Sequence, residues 1–404
     1  MSATPRQTYL DWLRIIAIAG ILVFHAAMPY VSEWEWHLKN KETGHVLLEM
    51  NDFLHRFRMP LLFFISGMVS YYMLQHRTGG SFLGLRFRRL FIPLLVGILI
   101  IVPPQVYMQR LAEGYTGNFW DFYPTLFTTG VYPQGNISWH HLWFISYLLV
   151  YDILLAPLFI WLISAGGKRW LQRCNFLARG AFVYLLIIPS LLIYTFLFLH
   201  FSATNDLIHD YAYFPYWGLF VLVGFICVAH PLLAESLERN RRLSFTLAFT
   251  SLLFINYLRW NKLDHWQSIP GYLYDWKTYT SLAIGGICAW MWVFTAVGYG
   301  KKYLNRTSPV LPYLNEAIYP FYILHQTVIV ILTYYLIGVP DGMGMKYLFT
   351  VVVTFLLTMC MYHLYIRPFA ITRFLFGMKP RLSRRKASPK PATIVSTETA
   401  IPAR

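Results

Sequence analysis

About ten times along this chain the sequence runs for about 17 to 25 residues with almost no charge. That is the length an α-helix needs to cross a hydrocarbon layer of about 30 Å at 1.5 Å per residue. The runs lie near positions 9–29, 58–74, 90–108, 142–163, 181–200, 213–230, 244–260, 279–298, 312–337 and 347–366. They predict an all-α, polytopic membrane bundle of about ten transmembrane helices, with no water-soluble domain large enough to work alone. Composition agrees: 57% of the 404 residues are hydrophobic and 13% charged, where soluble chains carry roughly 25% charge. The first run follows Arg6, includes Asp11 and Arg14 and is not followed by a small-residue cleavage site. It is therefore expected to be a retained span, not a removable signal peptide.

Cytoplasmic loops retain lysine and arginine, so their distribution orients the bundle. With the N-terminus inside, most of the 34 basic residues fall in alternate, cytoplasmic segments: Arg6, Arg77 to Arg89, Lys168 to Arg179, Arg239 to Arg242, Lys301 to Arg306 and the stretch after residue 366. Both termini are then cytoplasmic. The alternation also excludes nucleic acid as the reason for the net charge of +16, because the basic residues form no single face. The bilayer is the expected partner. Residues 1–376 are expected to form the transmembrane domain, and 377–404 a basic, Pro-, Ser- and Thr-rich cytoplasmic tail without fixed structure. No internal repeat is visible, which counts against a transporter built from two related halves. Cys174, Cys227, Cys288 and Cys360 show no metal-ligand spacing, so neither a disulfide framework nor a metal site is expected.

An ionisable group inside a span costs about 2.5 to 3.5 kcal/mol at the bilayer centre, and it marks a functional path or a paired structural site. The first span holds Asp11, Arg14 and His25. Arg14 and His25 are separated by three turns plus about 20° at 100° per residue, so they share one face, about 16 Å apart along the axis. The plainer reading pairs Arg14 with Asp11 as a cytoplasmic anchor and gives His25 a hydrogen bond to a neighbouring helix. Their common face favours chemistry. An imidazole takes a proton from a hydroxyl near neutral pH, and a guanidinium holds a carbonyl, phosphate or carboxylate oxygen. Arg86, Arg88 and Arg89 open the third span in LRFRRLFIP. Positive-inside anchoring accounts for any one of them, but the shared face of Arg86 and Arg89 suits a phosphorylated cytosolic donor such as a CoA thioester.

Asn51, Asp52, His55 and Arg58 lie in NDFLHRFRMP, where the first outer loop re-enters the membrane. Asp52, His55 and Arg58 follow one another at i+3 steps, which places the carboxylate to orient the imidazole. Ser66 and Gly67 in FFISG suit close helix packing better than a nucleophile's role. His140 and His141 begin the fourth span in HHLWF, with Trp143, and His325 lies inside the ninth in YPFYILHQ. The outer loops 30–57 and 109–141 and the segment 261–278 carry Trp34, Trp36, Tyr115, Trp120, Tyr123, Tyr132, Trp139, Trp266, Tyr272 and Trp276. These aromatics form either an interfacial belt or a platform on which sugar rings stack.

Taken in register, Arg14 with His25, RFRR at 86–89 with Pro93, FFISG at 63–67, HLWF at 141–144 and YPFYILH at 319–325 resemble the acyltransferase family 3 membrane proteins over roughly residues 8–370. Within that family LDWLR, NDFLHRFRM and FLFGMKP are similar to the glucans biosynthesis protein C group. The resemblance implies a ten-helix bundle in the bacterial inner membrane that moves an acyl group from cytoplasmic acyl-CoA to a hydroxyl of an extracytoplasmic carbohydrate. For that group it implies succinylation of osmoregulated periplasmic glucans. It also implies Arg14 and His25 as the essential catalytic pair and Arg86 and Arg89 as the basic pair that holds the donor, where Arg88 is expected to join them on the CoA phosphates. Succinyl-CoA or acetyl-CoA would act as a substrate, with no permanently bound cofactor. Asp52, His55, Arg58, His141, Trp143 and His325 are the expected substrate-facing residues, and His55, Arg56, Arg58 and Arg110 the candidate cations for a succinyl carboxylate. The competing readings are a transporter or flippase for acyl groups or lipid-linked sugars, and an acyltransferase acting on lipopolysaccharide, exopolysaccharide or peptidoglycan.

Overall fold

The computed structural model describes residues 7–264 and 271–380; Arg6, Trp266 and the tail beyond residue 380 lie outside them. Among the described residues every named element is helical. In chain order they are α1 (Thr8–Ala27), α2 (His45–Leu74), α3 (Gly79–Val96), α4 (Pro103–Ala112), the single turn α5 (Phe119–Phe122), α6 (Trp143–Ile163), α7 (Ala165–Arg173) and α8 (Ile188–Leu197), then α9 (Tyr213–Ala229), α10 (Leu233–Arg239), α11 (Arg241–Trp260), α12 (Trp276–Tyr303), α13 (Leu311–Leu336), α14 (Met343–Met361) and α15 (Ala370–Leu375).

Among the described residues seven helical stretches are long and apolar enough to cross a membrane: Thr8–Tyr30, His45–Leu74, Gly79–Ala112, His140–Ile163, Trp276–Tyr303, Leu311–Leu336 and Met343–Ile366. They coincide with seven of the expected spans. The other three differ for local reasons. The run at 213–230 is α9, bent by 100° against α10, and the run at 181–200 holds only the shorter apolar helix Phe182–Leu197. The run at 244–260 falls in α11, whose arginines, serines and threonines keep it less apolar than the seven.

Small residues set the closest helix crossing. A Cβ on Gly67 of α2 would sit 1.9 Å from the Val221 carbonyl oxygen of α9, and one on Gly224 would sit 2.1 Å from that of Phe64. The FFISG glycine therefore serves helix contact, as its size suggests. Its neighbour Ser66 returns its hydroxyl to the Leu62 carbonyl at 2.8 Å.

Between α3 and α4 the chain passes through a π-helical turn, Gly97–Ile101. Pro103 has no N–H for the Leu99 carbonyl four residues earlier; the Tyr123 hydroxyl fills that place at 3.0 Å. The Ile101 carbonyl accepts from Thr327 of α13 at 2.7 Å, which ties this turn to the centre of the bundle.

α1 and α13 lie side by side in the same direction. The Thr8 amide and hydroxyl both donate to Asn305 Oδ1 at 3.1 Å, Arg14 reaches Asn315, and His25 reaches His325. At the end of α13 where Asn315 lies, Glu316 accepts from Arg373 and from Tyr362. Gly377 of FLFGMKP turns with φ +65°, where a Cβ would sit 2.6 Å from the Arg89 carbonyl oxygen. Only glycine fits that crowded left-handed position.

Candidate active site

The shared face of Arg14 and His25 is turned to α13, and the hydrogen bonds there fix the state of each ring. His325 Nδ1 lies 2.7 Å from the Tyr322 carbonyl oxygen. A carbonyl only accepts, so Nδ1 carries the proton and Nε2 of the neutral ring is an acceptor. His25 Nδ1 sits 2.9 Å from that Nε2 and must donate to it. His25 Nε2 is left with its lone pair, and among the described residues nothing hydrogen-bonds to it. The two rings are parallel within 6°, with centroids 5.1 Å apart. The result is a base whose tautomer and orientation are set by a second imidazole and a backbone carbonyl, an arrangement suited to general-base chemistry.

His141 closes a third side. Its ring stands edge-on to His325 at 5.2 Å, and its Nε2 donates to the Ile323 carbonyl at 3.0 Å, which leaves Nδ1 buried and unpartnered. Tyr322 donates to the His141 carbonyl. Loop 31–44 folds over these rings. Trp36 lies on His25 at 5.4 Å, and Lys39 holds the loop by donating to the Met28, Val31 and Trp34 carbonyls.

Next to Trp36, His37 sits in a second polar chain. Gln326 Nε2, which can only donate, lies 3.3 Å from His37 Nε2, so His37 Nδ1 holds the proton and gives it to Gln109 Oε1 at 2.9 Å. Gln326 also donates to Gln105 at 3.2 Å, and Gln105 to Thr327 at 2.7 Å. Burial holds the His37 imidazole below its ordinary value of 6.5, so it is neutral. Trp36 Nε1, Gln326 Oε1 and His140 Nε2 remain buried without hydrogen bonds. The first lies against His25 and the other two around His37.

At the far end of α1, Arg14 contacts Asp11 at 3.4 Å and Asn315, so the anchor reading and a functional reading share one side chain. Arg86 is engaged more firmly. It makes a two-point ion pair with Asp152 of α6, Nε to Oδ2 at 2.5 Å and Nη2 to Oδ1 at 3.1 Å, with Ser70 beside it. Arg88 is exposed, and Arg89 is partly buried with Nε unpartnered.

The family comparison decides what kind of machinery this is. The family model described as an acyltransferase domain matches residues 7–363, nearly the whole chain. The chain belongs to the acyltransferase-3 family. It is similar to glucans biosynthesis protein C of Salmonella typhimurium, 23% identical over 391 residues that cover 94% of this chain and 97% of that protein. It is equally similar to the proteins of the same name from Salmonella paratyphi B and Salmonella heidelberg, each 23% identical with 93% and 96% coverage. No solved structure matches it.

Other expected residues of this acyltransferase sort differently. Asp52 does not orient His55; it accepts from Arg56 at 2.7 to 3.0 Å, because the i, i+4 step on a helix brings those two together directly. His55 instead lies 3.3 Å from Arg58 Nη1 and packs on Trp34 and Phe24. Arg110 is tied to Glu113 and Asn136. Trp143 packs with Phe63, Tyr147 and Trp217, a cluster shared by α2, α6 and α9. The outer aromatics divide as well: Trp34 and Trp36 line the histidine site, whereas Trp120 and Trp276 are exposed. Sequence reasoning passed over Asp152, although a lone carboxylate in YDILL carried the same signal as Asp11. It also passed over His37, Gln105 and Gln326, which show no periodic pattern that would mark them.

Proposed function

We propose that this protein is a membrane-embedded O-acyltransferase that moves an acyl group, succinyl or acetyl, from cytoplasmic acyl-CoA to a hydroxyl of an extracytoplasmic carbohydrate. The observation that carries the reading is the His25–His325 bond, which leaves His25 Nε2 as an oriented, unprotonated base. The carbohydrate acceptor is supported by the name shared by its relatives and by the unpartnered polar atoms of Trp36, Gln326 and His140 around the base. In the reaction the acceptor oxygen attacks the thioester carbonyl while His25 Nε2 takes the hydroxyl proton. The carbon–sulfur bond then breaks, and the proton passes to the departing CoA thiolate. His141 and His325 face this step, with His325 as the positioning residue.

Arg14 lies about 16 Å down α1 from His25. Its charge therefore serves the donor on its way in, not the tetrahedral intermediate. Arg88 and Arg89 are the residues left to meet CoA phosphates, while Arg86 holds α3 to α6 through Asp152. Ten crossings of a bacterial inner membrane with both termini inside would put donor and acceptor on opposite faces. That count takes in α9, α11 and Phe182–Leu197 in addition to the seven long apolar helices.

His25→Ala should abolish O-acylation, read by mass spectrometry of envelope glycans, while the protein remains inserted at wild-type level; normal product from that variant would refute the assignment. A transporter or flippase reading is separated by giving purified protein acyl-CoA and a soluble glucan. Covalent transfer supports the enzyme, and its absence alongside acyl movement into vesicles supports the rival.

A further inference from the structure

Arg58 is a guanidinium buried in the bundle, 7% exposed, and it never deprotonates in practice. The other buried guanidinium among the described residues, Arg373, is paired with Glu316. Neighbouring cations are also satisfied: Arg56 by Asp52 and Arg110 by Glu113. Among the described residues no carboxylate pairs with Arg58. Its one hydrogen-bonding contact is the 3.3 Å approach of Nη1 to His55 Nδ1, and its Nε is buried and unpartnered. The guanidinium carbon lies 3.4 Å from the centre of the Phe24 ring, and Phe24 in turn packs on His25 at 5.4 Å. The charge thus stands one aromatic ring away from the oriented base.

A cation–π contact supplies only about 2 kcal/mol when desolvated, less than an unpaired buried charge requires. A protein retains such a group when an anion arrives to complete it. From this juxtaposition we propose that Arg58 is a specificity-determining residue that receives a carboxylate at the far end of the transferred acyl group, so that the acyltransferase selects dicarboxylic mono-thioester donors over neutral ones. This rests on the acyl-CoA reading above. The transfer balances as before: the ester carbon–oxygen bond forms, the thioester carbon–sulfur bond breaks, CoA leaves as the thiol, and the distal carboxylate on Arg58 is unchanged.

The test compares succinyl-CoA with butyryl-CoA, a neutral donor with the same four-carbon acyl chain, in purified wild type, Arg58→Gln and Arg58→Lys. Transfer to glucan is measured by mass, and donor binding by thermal shift. Wild type should prefer succinyl. Arg58→Gln should lose succinyl transfer by about a hundredfold, the size expected when one partner of a buried charge pair is truncated, while butyryl transfer holds or rises. Arg58→Lys should keep part of the preference. Because Arg58→Gln removes a buried charge that no carboxylate answers and keeps an amide donor for His55, it should fold at least as stably as wild type. Equal proportional loss of both donors in Arg58→Gln would make Arg58 part of general catalysis or folding and overturn the proposal, as would a wild type indifferent to the carboxylate. If wild type transfers neither donor, the acyl-CoA reading fails. The thermal shift still decides whether Arg58 recognises the anion: a succinyl-CoA stabilisation lost in Arg58→Gln supports it, and its absence in wild type overturns it.

Discussion

The Arg86–Asp152 pair offers the sharpest perturbation of the bundle. Its side chains are 11% and 0% exposed and meet at two points, with Ser70 Oγ 3.4 Å from the same carboxylate. Removing one member of such a pair leaves the other charge buried alone and costs about 3 to 5 kcal/mol, whereas replacing both with well-packed apolar residues is often close to neutral. Asp152→Ala and Arg86→Ala should therefore each destabilise by that amount. An Arg86→Met, Asp152→Leu double variant, which leaves neither charge buried alone, should recover most of that loss. Reversible unfolding by SDS titration in mixed micelles measures all three against wild type. Donor affinity, followed in parallel, should drop in an Arg88→Ala, Arg89→Ala variant and hold in the recovered double variant. Single variants within about 0.5 kcal/mol of wild type, the range of ordinary surface changes, would refute the structural role given to Arg86. Loss of donor binding in the recovered double variant would return Arg86 to the donor site.

The relay that sets His25 is open to a kinetic test. His325→Phe keeps the ring against Phe321 but removes the acceptor, and kcat should fall by about 10² to 10⁴, the scale of general-base catalysis, with KM for acyl-CoA unchanged. His325→Gln, whose Oε1 can still accept from His25 Nδ1, should retain more activity, and equal loss in both variants would argue against a relay. For the outer loop, the His37 imidazole is held below 6.5 by burial in the folded protein, so the folded state binds fewer protons than the unfolded one. Its contribution to stability is complete above the unfolded value and is lost as pH falls from there through the lower folded value. Wild type should therefore lose stability relative to His37→Asn over that window, and parallel curves would show that His37 is not neutral when folded.

Much of this was legible along the chain, and what was not has identifiable causes. Periodicity alone put Arg14 and His25 on one face, and the structure turns that face to α13. The partner His325 lies 300 residues away, and no local rule reports which helix will pack beside α1. Asp52 and His55 illustrate a competition: an i+3 spacing allowed a carboxylate to meet an imidazole, but Arg56 at i+4 offered a full charge at a better step and won. Asp152 carried a readable signal, a single carboxylate in an apolar run. His37 did not, because loop 31–44 gains its place over His25 through contacts that no local pattern reports, among them Trp36 against His25, His37 with Gln109 and Gln326, and the carbonyl bonds of Lys39. Hydropathy found the long spans because their apolar windows are continuous, and it placed α9 but not its bend against α10, because a bend leaves no trace in residue composition.

The ionisable groups inside this bundle fall into two kinds, and the division points to the site more firmly than any single residue does. Arg86 with Asp152 and Arg373 with Glu316 are closed pairs, in which each charge is answered within the protein and the pair fastens one segment to another. His25 Nε2, His141 Nδ1 and Arg58 are open: among the described residues the two imidazole nitrogens and Arg58 Nε make no hydrogen bond, and no carboxylate pairs with Arg58. Open groups are costly where water is scarce, so chance would scatter few of them. Here they converge around Phe24, His325 and Tyr322, where loop 31–44 adds the unpartnered Trp36 Nε1 and, around His37, α13 adds Gln326 Oε1 and the turn before α6 adds His140 Nε2. A carbohydrate hydroxyl would complete the first set and an anionic acyl end would complete Arg58. The positions that the chain's own groups leave unanswered are the ones a donor and acceptor together would satisfy.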